Sequence, residues 1–217
     1  MYLLALDTSS SAVSVALLEE SGVRAERTEL AVNRHGERLA PLIAAVLADC
    51  GVDPRALTAL AAGVGPGPFT GLRVGLVTAL ALADALDLPS YPVCSLDALA
   101  AAHGYACVAL SDARRHEVYW AGYDEEGTRT AGPEVTSPAE LAARLPPGTR
   151  VVGAGAARHR ALFPAAIEAD PYPTAGFVGR LAVARARAMA AGQPLTPMYL
   201  RRPDARPPGP RKAVLPL

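Results

Sequence analysis

The sequence predicts an α/β protein of two lobes, and three observations carry that prediction. Residues 63–75, Gly63-Val-Gly-Pro-Gly-Pro-Phe-Thr-Gly-Leu-Arg-Val-Gly75, run an apolar strand into a turn that Gly and Pro favour, and a helix follows at once. Strand patterns alternate with helix patterns along the chain. A split near residues 100–105 separates two halves that each begin with strands and end with helices. This sets lobes at 1–104 and 105–202 and leaves a Pro-rich, flexible tail at 203–217.

Tyr2 to Leu6 is a short apolar run, Asp7-Thr8-Ser9-Ser10-Ser11 a polar turn, and Ala12 to Leu18 a second strand, together a hairpin. Glu37 to Cys50 places Leu39, Leu42, Ile43, Val46, Leu47 and Cys50 at helical spacing, with Gly51 as the stop and Pro41 tolerable only near the first turn. Leu60 to Val64 is a strand, and Thr70 or Gly71 caps a helix running to Leu86. Arg73, Thr78 and Asp84 are the polar side chains of that helix from Leu72 on, so it needs cover on more than one side. Gly71, Gly75, Ala79 and Ala83 form a smooth stripe beside a ridge of Leu72, Leu76 and Leu80. The stripe and ridge suit packing on the helix's own sheet, or one face on the sheet and the other on a second polypeptide.

Tyr91 to Cys94 reads as a strand with Ser95 as a helix cap, then Ala106 to Ser111 and Glu117 to Tyr123 as a strand pair, with a turn at Glu125 to Gly127. Ser137-Pro138-Ala139-Glu140 has capping-box spacing, and its helix stops at Pro146-Pro147-Gly148. Val151-Val152 precedes a glycine turn, and Thr174 caps a last helix to Ala191.

Composition narrows the function classes. The chain has 217 residues, 51% of them hydrophobic, enough for one or two sizeable cores. Its 21 basic and 21 acidic side chains cancel, which disfavours a direct nucleic-acid binder, although Arg180, Arg185, Arg187, Arg201 and Arg202 make the C-terminal part locally basic. Cys50, Cys94 and Cys107 are odd in number and widely spaced, against a disulfide framework or zinc site. Met1 leads directly into a strand and no run reaches the ~18 apolar residues of a membrane span, so a cytoplasmic protein without membrane contact is expected.

Few residues point to chemistry. Asp7, Thr8 and Ser9 could hold a magnesium-bound phosphate, and the Gly65-Pro66-Gly67-Pro68 loop leaves N–H groups free for an anion; both stretches suit plain structural turns equally. Gly153-Ala154-Gly155 is a weak nucleotide-turn signal, because Arg158 stands where a third glycine belongs. His35, His103, His116 and His159 are scattered, and Cys94 has no evident partner, so neither a metal site nor a hydrolase emerges. Asp112-Ala113-Arg114-Arg115-His116-Glu117 packs charges into a turn before an aromatic strand, either a ligand surface or a solvated hairpin.

Taken together, Leu4-Ala-Leu-Asp-Thr-Ser-Ser10, His35, Gly65-Pro-Gly-Pro-Phe-Thr-Gly-Leu-Arg73, Asp112-Ala113-Arg114 with Glu117-Val-Tyr-Trp120, and Pro197-Met-Tyr-Leu-Arg201 resemble the bacterial TsaB (YeaZ) family of tRNA threonylcarbamoyladenosine biosynthesis, from residue 1 to about 202. The resemblance implies the two-lobed actin and sugar-kinase fold, ribonuclease H-like, with mixed sheets flanked by helices. It implies a non-catalytic scaffold subunit that activates a TsaD-like catalytic subunit, helps a TsaE-like ATPase dock, forms a homodimer when alone, and meets tRNA only within the complex. Catalytic relatives carry His-Leu-Glu-Ala-His where this chain has Ser95-Leu96-Asp97-Ala98-Leu99, which lacks the two metal-binding imidazoles. No cofactor is expected, with ATP or ADP and magnesium bound only weakly or by the complex, and Asp7, Thr8, Ser9, Gly65 and Gly67 as the remnant of a nucleotide site. Apolar surface on the first lobe's helices predicts a partner interface at Leu39, Ile43, Val46, Leu72, Leu76 and Leu80. The alternative is an enzyme acting alone, an actin-like ATPase or a peptidase-type hydrolase.

Overall fold

A computed structural model describes residues 1–167 and 170–201; the tail expected at 203–217 lies outside them. The first hairpin forms as expected, β1 (Leu3–Asp7) antiparallel to β2 (Ala12–Glu19) with Leu6 opposite Val15. A third antiparallel strand, β3 (Gly22–Leu30), was not visible in the sequence. Then come α1 (His35–Asp49), β4 (Ala59–Gly63), α2 (Phe69–Leu86), β5 (Ser90–Val93) and α3 (Ser95–Ala102). Strands β4 and β5 extend the sheet in parallel on the other side of β1, giving the order β3-β2-β1-β4-β5.

The second sheet is built from β6 (Cys107–Asp112), β7 (Val118–Tyr123), β8 (Arg129–Thr136), β9 (Val151–Val152) and β10 (Ala166–Ile167), with α4 (Pro138–Arg144) and α5 (Ala154–Arg158) between them. Its order is β10-β9-β6-β7-β8. Each sheet therefore starts on a central strand, adds two antiparallel neighbours on one side and two parallel ones on the other. The two lobes repeat one design that has no close-period repeat in the sequence.

Strand β1 is buried throughout because both faces of its sheet are covered. Leu4, Leu6, Val13 and Val15 pack under α1 and α2, while Leu3, Ala5, Ala16 and Tyr91 meet α6 (Ala175–Arg187) on the opposite face. Helix α6 thus returns to the first sheet, packing on β1, β2 and β4, so residues 105–202 are not a lobe in space: residues 107–167 carry the second sheet and the last helix belongs to the first. The N–H groups at its start are taken by Ser14 Oγ, 2.8 Å from Ala175 N, and Glu26 Oε1, 2.7 Å from Gly176 N, rather than by Thr174. It ends at Arg187, short of Ala191.

Three local expectations need correction. Helix α2 begins at Phe69 after Pro68, with no side-chain cap from Thr70. Helix α1 begins at His35, so Pro41 lies in its second turn, on the exposed side. Ser137 does accept from Glu140 N at 3.2 Å, but the Glu140 carboxylate accepts from Thr136 Oγ1 at 2.6 Å instead of closing the box.

Candidate functional site

The turn between β1 and β2 is fixed from three directions. Asp7 ends β1, and its Oδ1 accepts from the N–H and the hydroxyl of Ser9, both at 2.8 Å. Its Oδ2 accepts from Ser95 Oγ at 2.6 Å, while the same Ser95 Oγ accepts from Gly65 N at 3.2 Å. Thr8 Oγ1 donates to Gly71 O at 2.8 Å. Ser95, expected as a cap, is instead the first helical residue of α3 and joins the β1 turn to the Gly-Pro loop.

Glycines let these pieces close. A Cβ at Gly63 would overlap Asp7 Oδ2, one at Gly67 would overlap Ser9 O, and one at Gly75 would overlap Thr8 Oγ1; one at Gly71 would sit 2.7 Å from Thr8 O. Gly71 and Gly75, the first two members of the small-residue stripe of α2, therefore receive Thr8 of their own chain. Asp7, Thr8 and Ser9 are at most 2% exposed, and Gly65 and Gly67 are buried too. The side chains of Asp7, Thr8 and Ser9, named as a possible nucleotide-site remnant, are thus buried and each bonded within the fold, which makes this turn a structural joint.

Burial is the largest influence on Asp7 and pushes its carboxyl above the ordinary carboxylate range; the bonds from Ser95 and Ser9 and the nearby His35 act the other way. Burial also pushes the Cys94 thiol up to about 12, which keeps it a thiol and leaves it a poor nucleophile. Among the described residues, no three His, Cys, Asp or Glu side chains gather as a metal site. Asp97, in the segment aligned with the metal motif, is held by Tyr123 Oη at 2.7 Å and by Arg129.

Five of the six expected interface residues are inside. Leu39, Ile43, Val46, Leu72 and Leu76 are 8% exposed or less and form the core under the first sheet. Their helical phase follows from where β4 and β1 lie. Leu80 does face out, 46% exposed, next to Val77 at 64%. On the neighbouring α1 the outward residues include Ala40, Pro41 and Ala44. By length and composition alone α2 is apolar enough to cross a membrane, although Arg73 and Asp84 interrupt its apolar run. Its Gly71, Leu72, Gly75, Leu76 and Ala79, however, are buried in this lobe's core.

At the start of α2, Phe69 and Tyr199 stack with ring centroids 4.4 Å apart, and Arg73 Nε donates to Tyr199 Oη at 2.9 Å. Residues 193–199 thereby strap the first sheet, with Gln193 N bonded to Ser90 O and Met198 N to Val64 O. The sequence reading did not find this contact, which joins residues more than a hundred positions apart. A surface groove of about 950 Å³ near Met1, Pro89 and Met189 lies at the starting ends of β1, β4 and β5, a strand's length from Asp7.

Fold and joint together define an α/β protein built on two five-stranded mixed sheets of matching strand order. The profile of the TsaD family, tRNA N6-adenosine threonylcarbamoyltransferase, matches residues 23–197. The chain is 43% identical over 208 residues to an uncharacterized Mycobacterium tuberculosis protein, covering 94% of this chain and 93% of that one. It is 44% identical over 135 residues to the tRNA threonylcarbamoyladenosine biosynthesis protein TsaB of Haemophilus influenzae, covering 60% and 57%. The crystal structure of YeaZ from Pseudomonas aeruginosa superposes with a TM-score of 0.76 at 30% identity, covering 91% of this chain and all of that one. The chain spans little more than half the length of the Haemophilus protein and of a Mycobacterium leprae relative. It belongs to the TsaB (YeaZ) family, within the wider TsaD family.

Proposed function

We propose that this chain is a non-catalytic subunit in tRNA threonylcarbamoyladenosine biosynthesis that docks a TsaD-like catalytic subunit and holds it in an active state. Membership of the TsaB family supports the pathway, and the outward apolar residues of α1 and α2 support the docking role. The single observation that carries it is that Val77 and Leu80 stand exposed on a helix whose opposite side is already seated in its own core. An apolar helix face left in water favours a protein partner.

The same face serves a second copy of the chain when the catalytic subunit is absent, and the assembled pair receives a TsaE-like ATPase. Transfer of the threonylcarbamoyl group to tRNA belongs to the partner, and tRNA meets this chain only in the complex. The protein works in the cytoplasm, away from membranes. ATP or ADP with magnesium binds this chain alone only weakly, since Asp7, Thr8 and Ser9 are already bonded within the fold.

Reconstituted tRNA modification tests the reading. Catalytic subunit, ATPase and tRNA should form modified adenosine efficiently only when this chain is added, and Val77→Glu/Leu80→Glu should remove the stimulation. Full activity without the chain, or threonylcarbamoyl transfer by the chain alone, contradicts it.

A further inference from the structure

The strap that crosses the first sheet does not stop there. Leu195 is 4% exposed and completes the core under α1 and α2, while Met198 and Leu200 pack into the core between α3 and the second sheet. On the first-lobe side, Gln193 N–H bonds Ser90 O and Met198 N–H bonds Val64 O, both at 2.8 Å, and the Tyr199 ring lies against Phe69 and Arg73 of α2. Just beyond Tyr199, Arg201 donates to Ala113 O at 3.2 Å and pairs with Glu117, both on the β6–β7 hairpin of the second lobe. One short run of chain therefore grips both lobes.

The hairpin that receives Arg201 is closed on itself. Ala113 N–H bonds Glu117 O and Glu117 N–H bonds Arg114 O, each at 3.0 Å, and Ala113 is 3% exposed in the same core that takes Met198 and Leu200. Elsewhere the chain crosses between the lobes after α3 and after β10. The first crossing, Gly104-Tyr105-Ala106, is a short loop in left-handed conformations, φ 76°, 60° and 46°. Helix α3 touches both α6 and β6. Two sheets joined by short crossings and one shared helix have the make-up of a hinge, for which relative motion is the ordinary expectation. Opening that hinge would pull Arg201 off the hairpin or Tyr199 off α2.

We propose that residues 193–201 are an inter-lobe latch that fixes the angle between the two sheets, with Tyr199 holding the first-lobe end and Arg201 the second-lobe end. Both ends are partly exposed, Tyr199 by 39% and the Arg201 side chain by 21%, and contacts of this kind yield to single side-chain changes. The latch does not rest on the docking role of α1 and α2.

Double electron–electron resonance on the full chain tests it. Nitroxides at Ala48→Cys in α1 and Ala143→Cys in α4, both exposed positions, are read in a Cys50→Ser background diluted with unlabelled chain; Cys94 and Cys107 are buried and escape labelling. The latched chain should give one narrow distance distribution. Tyr199→Ala/Arg201→Gln should broaden it at least about twofold or shift its mean by at least about 3 Å, and Arg201→Gln alone should act in the same direction to a smaller extent. Val13→Ala, buried in β2 on the other side of β1 from the strapped edge, should lower the melting temperature and leave the distribution narrow. Circular dichroism melts establish that each variant is folded. An unchanged distribution in the folded latch variants overturns the proposal, as does equal broadening by Val13→Ala or a broad distribution in the latched chain itself.

Discussion

Replacing Gly75 by Ala isolates the contact between α2 and the turn after β1. The added methyl would overlap Thr8 Oγ1 and lie 3.3 Å from Leu6 Cδ1. Thr8 is 1% exposed and its hydroxyl donates to Gly71 O, so rotating it away breaks a buried hydrogen bond. Leaving such groups unpaired costs about 1–3 kcal/mol. The other escape lifts α2 away from the sheet and loosens Leu72 and Leu76, an overpacking strain also of about 1–3 kcal/mol. Against this, Ala favours the helix over Gly by about 1 kcal/mol. The net expectation is a loss of roughly 1–2 kcal/mol, a fall in Tm of roughly 2–8 °C for a chain of this size. Thermal melts followed by circular dichroism at 222 nm measure it. Thr8→Ala combined with Gly75→Ala should be less destabilised than the two single changes added together, since the hydroxyl is the obstacle. A higher Tm for Gly75→Ala would show that helix propensity wins and that α2 does not rest on Thr8.

Three further outcomes follow from the same joint and its surroundings. Ser95→Ala leaves Asp7 Oδ2 and Gly65 N without their shared partner, and urea unfolding should show a loss of about 1–3 kcal/mol. Asp7 has a raised folded pKa, so its protonated form suits the fold better than its anion. Its contribution to stability is fully present below the ordinary carboxylate value and declines as pH rises through the raised one. Asp7→Asn, which stays neutral, should therefore gain on wild type in chemical denaturation as pH increases from 3 towards neutrality, and a gap that shrinks over that range would refute the sign. Leu72→Ala, at a fully buried position in the core, should cost about 2–5 kcal/mol, whereas truncating Leu80 should change monomer stability far less.

What the sequence revealed and what it hid have physical reasons. The hairpin of β1 and β2 and the strand-turn-helix corner were legible because alternation and Gly-Pro turns each have a single structural meaning; the one-sided apolar stripe of α1 was legible too, but Leu39, Ile43 and Val46 were assigned to a partner when they face the chain's own sheet. Strands β3 and β8 were not, since as outer strands they carry Arg24, Glu26, Arg27 and Glu29, or Gly132-Pro133 and Glu134, and read as loops. Helix α2 is apolar on nearly every side, so its sequence holds no phase, and only the position of β4 decides that Leu72 and Leu76 turn inward while Val77 and Leu80 turn out. Asp7-Thr8-Ser9 looks the same whether it binds a ligand or closes a joint. The partner that decides, Ser95, lies 88 residues away.

The central claim, that the outward face of α1 and α2 receives the TsaD-like subunit, is tested most directly by equilibrium binding of that subunit to wild type and to Val77→Glu/Leu80→Glu by sedimentation velocity. Two carboxylates set into an apolar interface should weaken association at least about a hundredfold while the variant keeps its melting curve. Unchanged affinity, with the variant folded, would place the partner on another surface and contradict the account.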